Sequence, residues 1–169
     1  RSLTNLDLWL KKNKIVGITG LDTRALTNFI RDKGAPKGTI AFSKNKNLNI
    51  KKLVNTTVKW SGLKNLDLAK KVSTRKKYIW SGYKTWKKET GYLKNKKNSL
   101  HVVAVDYGIK KNILRYFSDF NCKVTVVSCQ TSADEIFELK PNGIFLSNGP
   151  GDPAATGKYA INIIKELIK

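Results

Sequence analysis

The chain has 169 residues, 40% of them hydrophobic, with 33 Lys and Arg against 12 Asp and Glu and a formal net charge of +21; this suffices for one packed domain or two small ones. No apolar run approaches the roughly 20 residues of a membrane-spanning helix, and the opening RSLTNLDLWLKKNK has neither the apolar core nor the cleavage site of a secretory signal, so a cytoplasmic location with no membrane partner is expected. The charge is lopsided: residues 1–100 carry 25 Lys and Arg against 5 Asp and Glu, whereas residues 101–169 carry 8 against 7.

A basic half invites a nucleic-acid reading, because phosphate attracts clustered cations. Yet 28 of the 33 basic residues are lysines, scattered and not set at one helical spacing, with few of the arginines that read bases through two hydrogen bonds. A lysine-rich surface is the expectation, and nucleic acid is not an expected partner. The chain contains no methionine and begins with Arg1, which reads as a fragment of a longer protein.

In chain order, Thr4 is placed to cap a short helix with Leu6, Trp9 and Leu10 on one face. Residues 15–18 read as a strand. Asp22 is the expected N-cap of the next helix, with Leu26, Phe29 and Ile30 as its buried stripe and Gly34 as its end. An Asp22–Arg24 ion pair of structural rather than catalytic purpose is also expected. Residues 38–42 read as a strand and 48–58 as a helix. Between residues 78 and 92, Trp80, Tyr83, Trp86 and Tyr92 alternate with lysines. Such a pattern suits bases stacking on aromatics, but antiparallel edge strands packed by aromatics explain it more simply. Residues 94–99, KNKKNS, have no apolar anchor and read as a linker dividing a first domain, 1–93, from a second, 100–169.

From Leu100 the pattern becomes regular: strand LHVVAVD, a helix over 109–118 with Ile109, Ile113, Leu114 and Phe117 inward, and a strand over 124–127. A helix over 132–139 follows, capped by Ser132 with Glu135 in the capping-box position, then a strand over 143–147 and a helix over 158–168. Strand–helix alternation implies a parallel sheet, and three strands make about half of such a domain. Cys122 and Cys129 bracket one strand, too far apart to bridge, and are expected to be free thiols belonging to no metal or redox motif. His101, the single histidine, opens a strand and has no expected catalytic role.

The stretch with most chemistry is NGIFLSNGPGDPAA, residues 142–155. Ile144, Phe145 and Leu146 form a buried strand, and the residues from Ser147 to Pro153 cannot continue it. Two glycines around one proline let a ligand approach the backbone and meet the N–H groups of Gly149 and Gly151. A corner at the carboxyl end of a strand is where open α/β sheets bind ligands. The same residues formally fit G-x-G-x-x-A, but the dinucleotide fingerprint belongs on the first strand of its unit, and this turn follows the third.

SNGPGDP after an apolar strand resembles the glutamine-binding turn of class I glutamine amidotransferases, and most closely that of the small, glutamine-hydrolysing chains of carbamoyl phosphate synthetases. Further blocks resemble that family in the same order: GLDTRALTNFIRDKGAPKGTIAF at 20–42, GLKNLDLAK at 62–70, and DYGIKKN at 106–112. The resemblance implies an α/β fold, part of a small α/β amino-terminal domain followed by the first half of a parallel-sheet, flavodoxin-like glutaminase domain. It implies a glutamine amidotransferase subunit that passes ammonia to a large synthetase chain, which itself uses ATP, Mg²⁺ and bicarbonate to make carbamoyl phosphate for arginine and pyrimidine synthesis. Partners would be that large chain and L-glutamine, with no cofactor in this chain. By resemblance, Gly149 donates its N–H to an oxyanion, and the Gly149 and Gly151 backbone holds glutamine. The family's cysteine elbow, histidine and glutamate have no counterpart in these residues; they are expected beyond Lys169, and residues 1–169 alone are expected to be inactive.

Overall fold

A computed structural model describes residues 4–34, 36–45, 47–94 and 99–169. The chain forms two compact units, one over Ser2–Gly62 and one over Leu63–Lys169.

The first unit holds helices α1 (Leu6–Lys12), α2 (Thr23–Lys33) and α3 (Ile50–Lys59). Each begins at an acidic or amide side chain that accepts an otherwise unpaired N–H of the first turn. Asn5, not Thr4, caps α1, accepting from Leu8 N at 2.8 Å; this oxygen sits over the third helical amide, where a cap at Thr4 would be one residue short. Asp22 caps α2, accepting from Arg24 N and Ala25 N at 3.0 and 2.9 Å, and Gly34 ends it in the left-handed conformation at φ 71°. Both carboxylate contacts go to the helix backbone, and the expected ion pair to the Arg24 side chain does not form. Asn49 caps α3, which starts two residues later than the apolar pattern suggests. Residues 15–18 and 38–42, expected as strands, form no ladder among the described residues. A strand exists only by pairing, and Val16 and Phe42 stay 66% and 82% exposed.

The second unit contains α4 (Ala69–Val72), β1 (Tyr78–Trp80), β2 (Gly82–Lys87), β3 (Gly91–Lys94), β4 (Leu100–Asp106), α5 (Lys111–Asp119), β5 (Cys122–Ser128), α6 (Ala133–Glu138), β6 (Gly143–Leu146) and α7 (Pro153–Leu167). Its main sheet has the order β1-β5-β4-β6. β4 runs parallel to β5 and β6, with Val102 opposite Val124 and Val103 opposite Ile144, while β1 is an antiparallel edge. The parallel part is thus ordered second–first–third, a flavodoxin-like arrangement. Side chains alternate between faces along each strand. Val103, Val105 and Val127 pack with Ile136 and Ala160 on one face, and Ala104, Val124 and Val126 with Leu114 on the other. Helices therefore cover both faces, and the strands read as continuous apolar runs.

Segment 63–93 belongs to this unit, which begins upstream of the stretch read as a linker; residues 95–98 of that stretch lie outside the described residues. β2 and β3 form an antiparallel hairpin. The Arg115 guanidinium lies 3.7 Å from the Tyr92 ring centroid and 5.7 Å from that of Trp80, so these two aromatics are occupied inside the protein. The capping box of α6 forms in both directions between Ser132 and Glu135. α7 starts at Pro153, five residues before the expected start: Asp152 caps it, and proline at the first helical position lacks only an N–H that would be unpaired anyway.

Candidate functional site

β4 and β6 are parallel neighbours, so their carboxyl ends open onto the same edge of the sheet. At the end of β4 the half-turn is tied by Asp106, whose Oδ1 accepts from Gly108 N at 2.9 Å and Ile109 N at 2.8 Å. This turn explains why α5 begins at Lys111 and not at Ile109. Beyond β6, Ser147 N donates to Val105 O at 3.1 Å, adding one more rung to the ladder. The two turns are then joined through side chains: Tyr107 N donates to Ser147 Oγ at 2.9 Å, and Asn148 Nδ2 donates to Gly108 O at 3.3 Å.

The glycines at this corner are required first by the protein's own packing. A Cβ on Gly149 would collide with the carbonyl oxygen of Tyr107. Gly151 has φ +95°, and a Cβ there would sit 2.5 Å from Leu66 O and 2.9 Å from Leu68 N. Among the described residues neither glycine's N–H has an acceptor. Gly149 and Pro150 form the wall between two cavities. One, about 350 Å³, is lined by Leu146, Gly151 and the α7 side chains Ile161 and Ile164. The other, about 630 Å³, is lined by Asp106, Lys111 and Asn148. A ligand in either cavity meets the Gly149 backbone.

A segment over residues 63–74 crosses this edge; most of it is the block GLKNLDLAK, which resembles the family in sequence and packs here with the second unit. Thr74 N donates to Asp106 Oδ2 at 2.8 Å, Cys129 N donates to Ser73 Oγ at 3.0 Å, Asn65 N donates to Asp152 Oδ2 at 2.7 Å, and Asp152 N donates to Leu66 O at 3.0 Å. Asp67 Oδ1 accepts from Tyr159 OH at 3.3 Å. The ends of β4 and β5 and the turn after β6 are all touched by one strap. The N–H groups of Asn65, then Ala154, hold the Asp152 carboxyl below its ordinary pKa, because they stabilise its charged form.

Neither cysteine lines the corner's cavities, although Cys129 packs behind Ala69, Tyr107 and Ala160, which line the first of them. Both are buried and neither is in a disulfide. Cys129, fully enclosed, lies 3.6 Å from Tyr159 OH, and burial followed by this sulfur raises the pKa of Tyr159. His101 is at the amino end of β4, five residues from Asp106, with Nε2 2.8 Å from Thr125 Oγ1. Burial and then Lys123 lower its pKa. Among the described residues no group of three or more His, Cys, Asp or Glu is placed to hold a metal ion.

Residues 103–169 match the family model "Glutamine amidotransferase class-I", and residues 1–40 match "Carbamoyl-phosphate synthase small chain, CPSase domain". The chain is 49% identical over 170 residues to the carbamoyl phosphate synthase small chain of Agrobacterium fabrum and 50% identical over 171 residues to that of Rhizobium meliloti. It is 46% identical over 169 residues to that of Bradyrhizobium diazoefficiens. Each match covers 100% of this chain and 42% of the relative, so the chain spans about two fifths of the length of the curated relatives it matches.

Proposed function

Because the chain belongs to the carbamoyl phosphate synthase small-chain family, we propose that the corner after β6 is the glutamine-binding part of an amidotransferase site. The reading rests on one observation above all: the unpaired N–H groups of Gly149 and Gly151 stand beside open cavities at the carboxyl edge of the sheet, inside the segment that matches the amidotransferase family.

In this reading the whole protein hydrolyses L-glutamine and delivers ammonia to a large synthetase chain, which consumes ATP with Mg²⁺ and bicarbonate to form carbamoyl phosphate for arginine and pyrimidine synthesis. Attack of a thiolate on the glutamine amide carbon creates a tetrahedral oxyanion, and a fixed donor aimed at that oxygen lowers the barrier. The Gly149 N–H is one donor, and the Gly149–Gly151 backbone holds the substrate. Neither thiol present here suits the nucleophile, since Cys129 is enclosed beneath Tyr159 and Cys122 begins β5, at the far end of the sheet from the corner. His101 is equally remote. The thiolate and its base partner are therefore assigned to residues outside these 169, and this chain supplies binding and oxyanion stabilisation.

An alanine at position 149 is a poor test, because its Cβ would meet the Tyr107 carbonyl whatever the glycine does. Replacing Gly149 by glycolic acid, in the complete protein from the same gene with its synthetase partner, removes the N–H and adds no side chain. Loss of one oxyanion donor costs about 10²–10³ in turnover. Glutamine-dependent synthesis should fall by that factor while synthesis from added ammonia is retained. An unchanged glutamine-dependent rate removes Gly149 from the site.

A further inference from the structure

We infer that residues 63–74 act as a strap that sets the position of the Gly149–Gly151 backbone, with Asp152 as the positioning residue that latches it. The inference rests on the glutamine-binding reading for its catalytic consequence, and on the geometry alone for its mechanics.

Asp152 makes three contacts from one position. Its Oδ1 accepts from Ala154 N at 2.9 Å, capping α7; its Oδ2 accepts from Asn65 N at 2.7 Å; and its own N–H donates to Leu66 O at 3.0 Å. The corner residue before it is pressed against the same stretch, since Gly151 has no room for a Cβ beside Leu66 O and Leu68 N. Asn65 is in the left-handed region at φ 64°, a conformation asparagine tolerates better than most residues, and this points its amide at the carboxylate. The strap is held at its other end by Thr74 N on Asp106, the residue that ties the neighbouring turn. Asp67 secures the middle against α7 through Tyr159 and, at 3.5 Å, Thr156. The corner is therefore fixed on one side by β4 and on the other by a segment more than 80 residues away in sequence: the Asn65–Asp152 contact spans 87. An oxyanion donor must be aimed to within a fraction of an ångström, and the latch is what limits how far Gly149 and Gly151 can turn.

Asp152→Asn separates the latch from the cap. Asparagine is as good an N-cap as aspartate, so its carbonyl oxygen keeps Ala154, while its NH₂ group then faces the Asn65 N–H, donor against donor. Asp152→Ser keeps a capping oxygen too, but is too short to reach Asn65. Both variants are made in the complete protein with its synthetase partner. Two readouts are taken: hydrogen exchange at the two hydrogen-bonded amides that flank the corner, Ser147 N on Val105 O and residue 152 N on Leu66 O, and kcat/KM for glutamine beside the ammonia-dependent rate. Faster exchange at the corner is expected, with kcat/KM for glutamine lower by about tenfold, the scale of one charge-assisted hydrogen bond, and an unchanged ammonia-dependent rate. Unchanged corner exchange in both variants overturns the strap. So does a uniform acceleration through α7 with both nitrogen sources failing together, which marks the residue as a helix cap only. If the unaltered protein shows no glutamine-dependent synthesis, the functional reading fails, and the exchange measurement still decides the strap.

Discussion

Gly151→Ala tests how tightly the corner is packed, and Gly91→Ala in the same unit provides its internal standard. Both glycines have positive φ, +95° and +71°. Forcing an L-residue into that half of conformational space costs about 1–2 kcal/mol. Around Gly91 no atom of the described residues lies within 4 Å of an added Cβ, so the conformational cost is the whole effect. At Gly151 the Cβ would also lie 2.5 Å from Leu66 O and 2.9 Å from Leu68 N, both backbone atoms that cannot rotate away. Overpacking of this kind adds about 1–3 kcal/mol, giving about 2–5 kcal/mol in total. Amide hydrogen exchange in the buried strands β4 and β5 reports the opening free energy of the unit. The two variants should differ by about 1–3 kcal/mol in that energy. If Gly151→Ala costs no more than Gly91→Ala, residues 66–68 do not press on the corner and the packing argument is wrong.

His101 has a pKa below its ordinary value of 6.5, through burial first and Lys123 second. The unfolded chain therefore takes up the proton first, and stability, full above 6.5, should decline as pH falls through that value toward the folded one. NMR titration of the single imidazole checks this directly; a midpoint at or above 6.5 refutes it. Leu114 is fully enclosed between α5 and the sheet, so Leu114→Ala should cost about 2–5 kcal/mol in urea unfolding, and a loss under about 1 kcal/mol would mean the site collapses around the gap.

What was legible in the sequence was local. The Asp22 cap, the Gly34 stop and the Ser132–Glu135 box are signals within a few residues, and each forms in the structure. The run LHVVAVD reads as a buried strand and forms β4, the strand read over 124–127 forms as β5 with two further residues at its start and one at its end, and the family resemblance agrees with the matched models. The sequence places the start of α7 five residues late because Asp152-Pro153 reads as the end of a turn, although an acidic cap before a first-position proline is also how a helix opens. Residues 15–18 and 38–42 have strand composition, but composition does not supply a partner. Residues 62–70 stand out in the sequence as a family-like block, but their contacts cannot be read there for a different reason. The strap's bonds run from backbone amides such as Asn65 N and Thr74 N to distant carboxylates, and an amide is the same at every residue.

The order of the strap along the chain also bears on how the site is made. Residues 63–74 leave the ribosome before any strand of the main sheet, yet the carboxylates and the hydroxyl that hold them belong to Asp106, Asp152 and Tyr159. The strap therefore waits. β4 can pair with β5 while the segment that will cross their ends is still untethered at Asn65 and Asp67. The last of these ties, from Asp67 to Tyr159, spans 92 residues. Closing so long a loop is entropically unfavourable until the sheet has shortened the path between its ends. The corner at Gly149 is thus set late in folding, after the parallel strands that carry it.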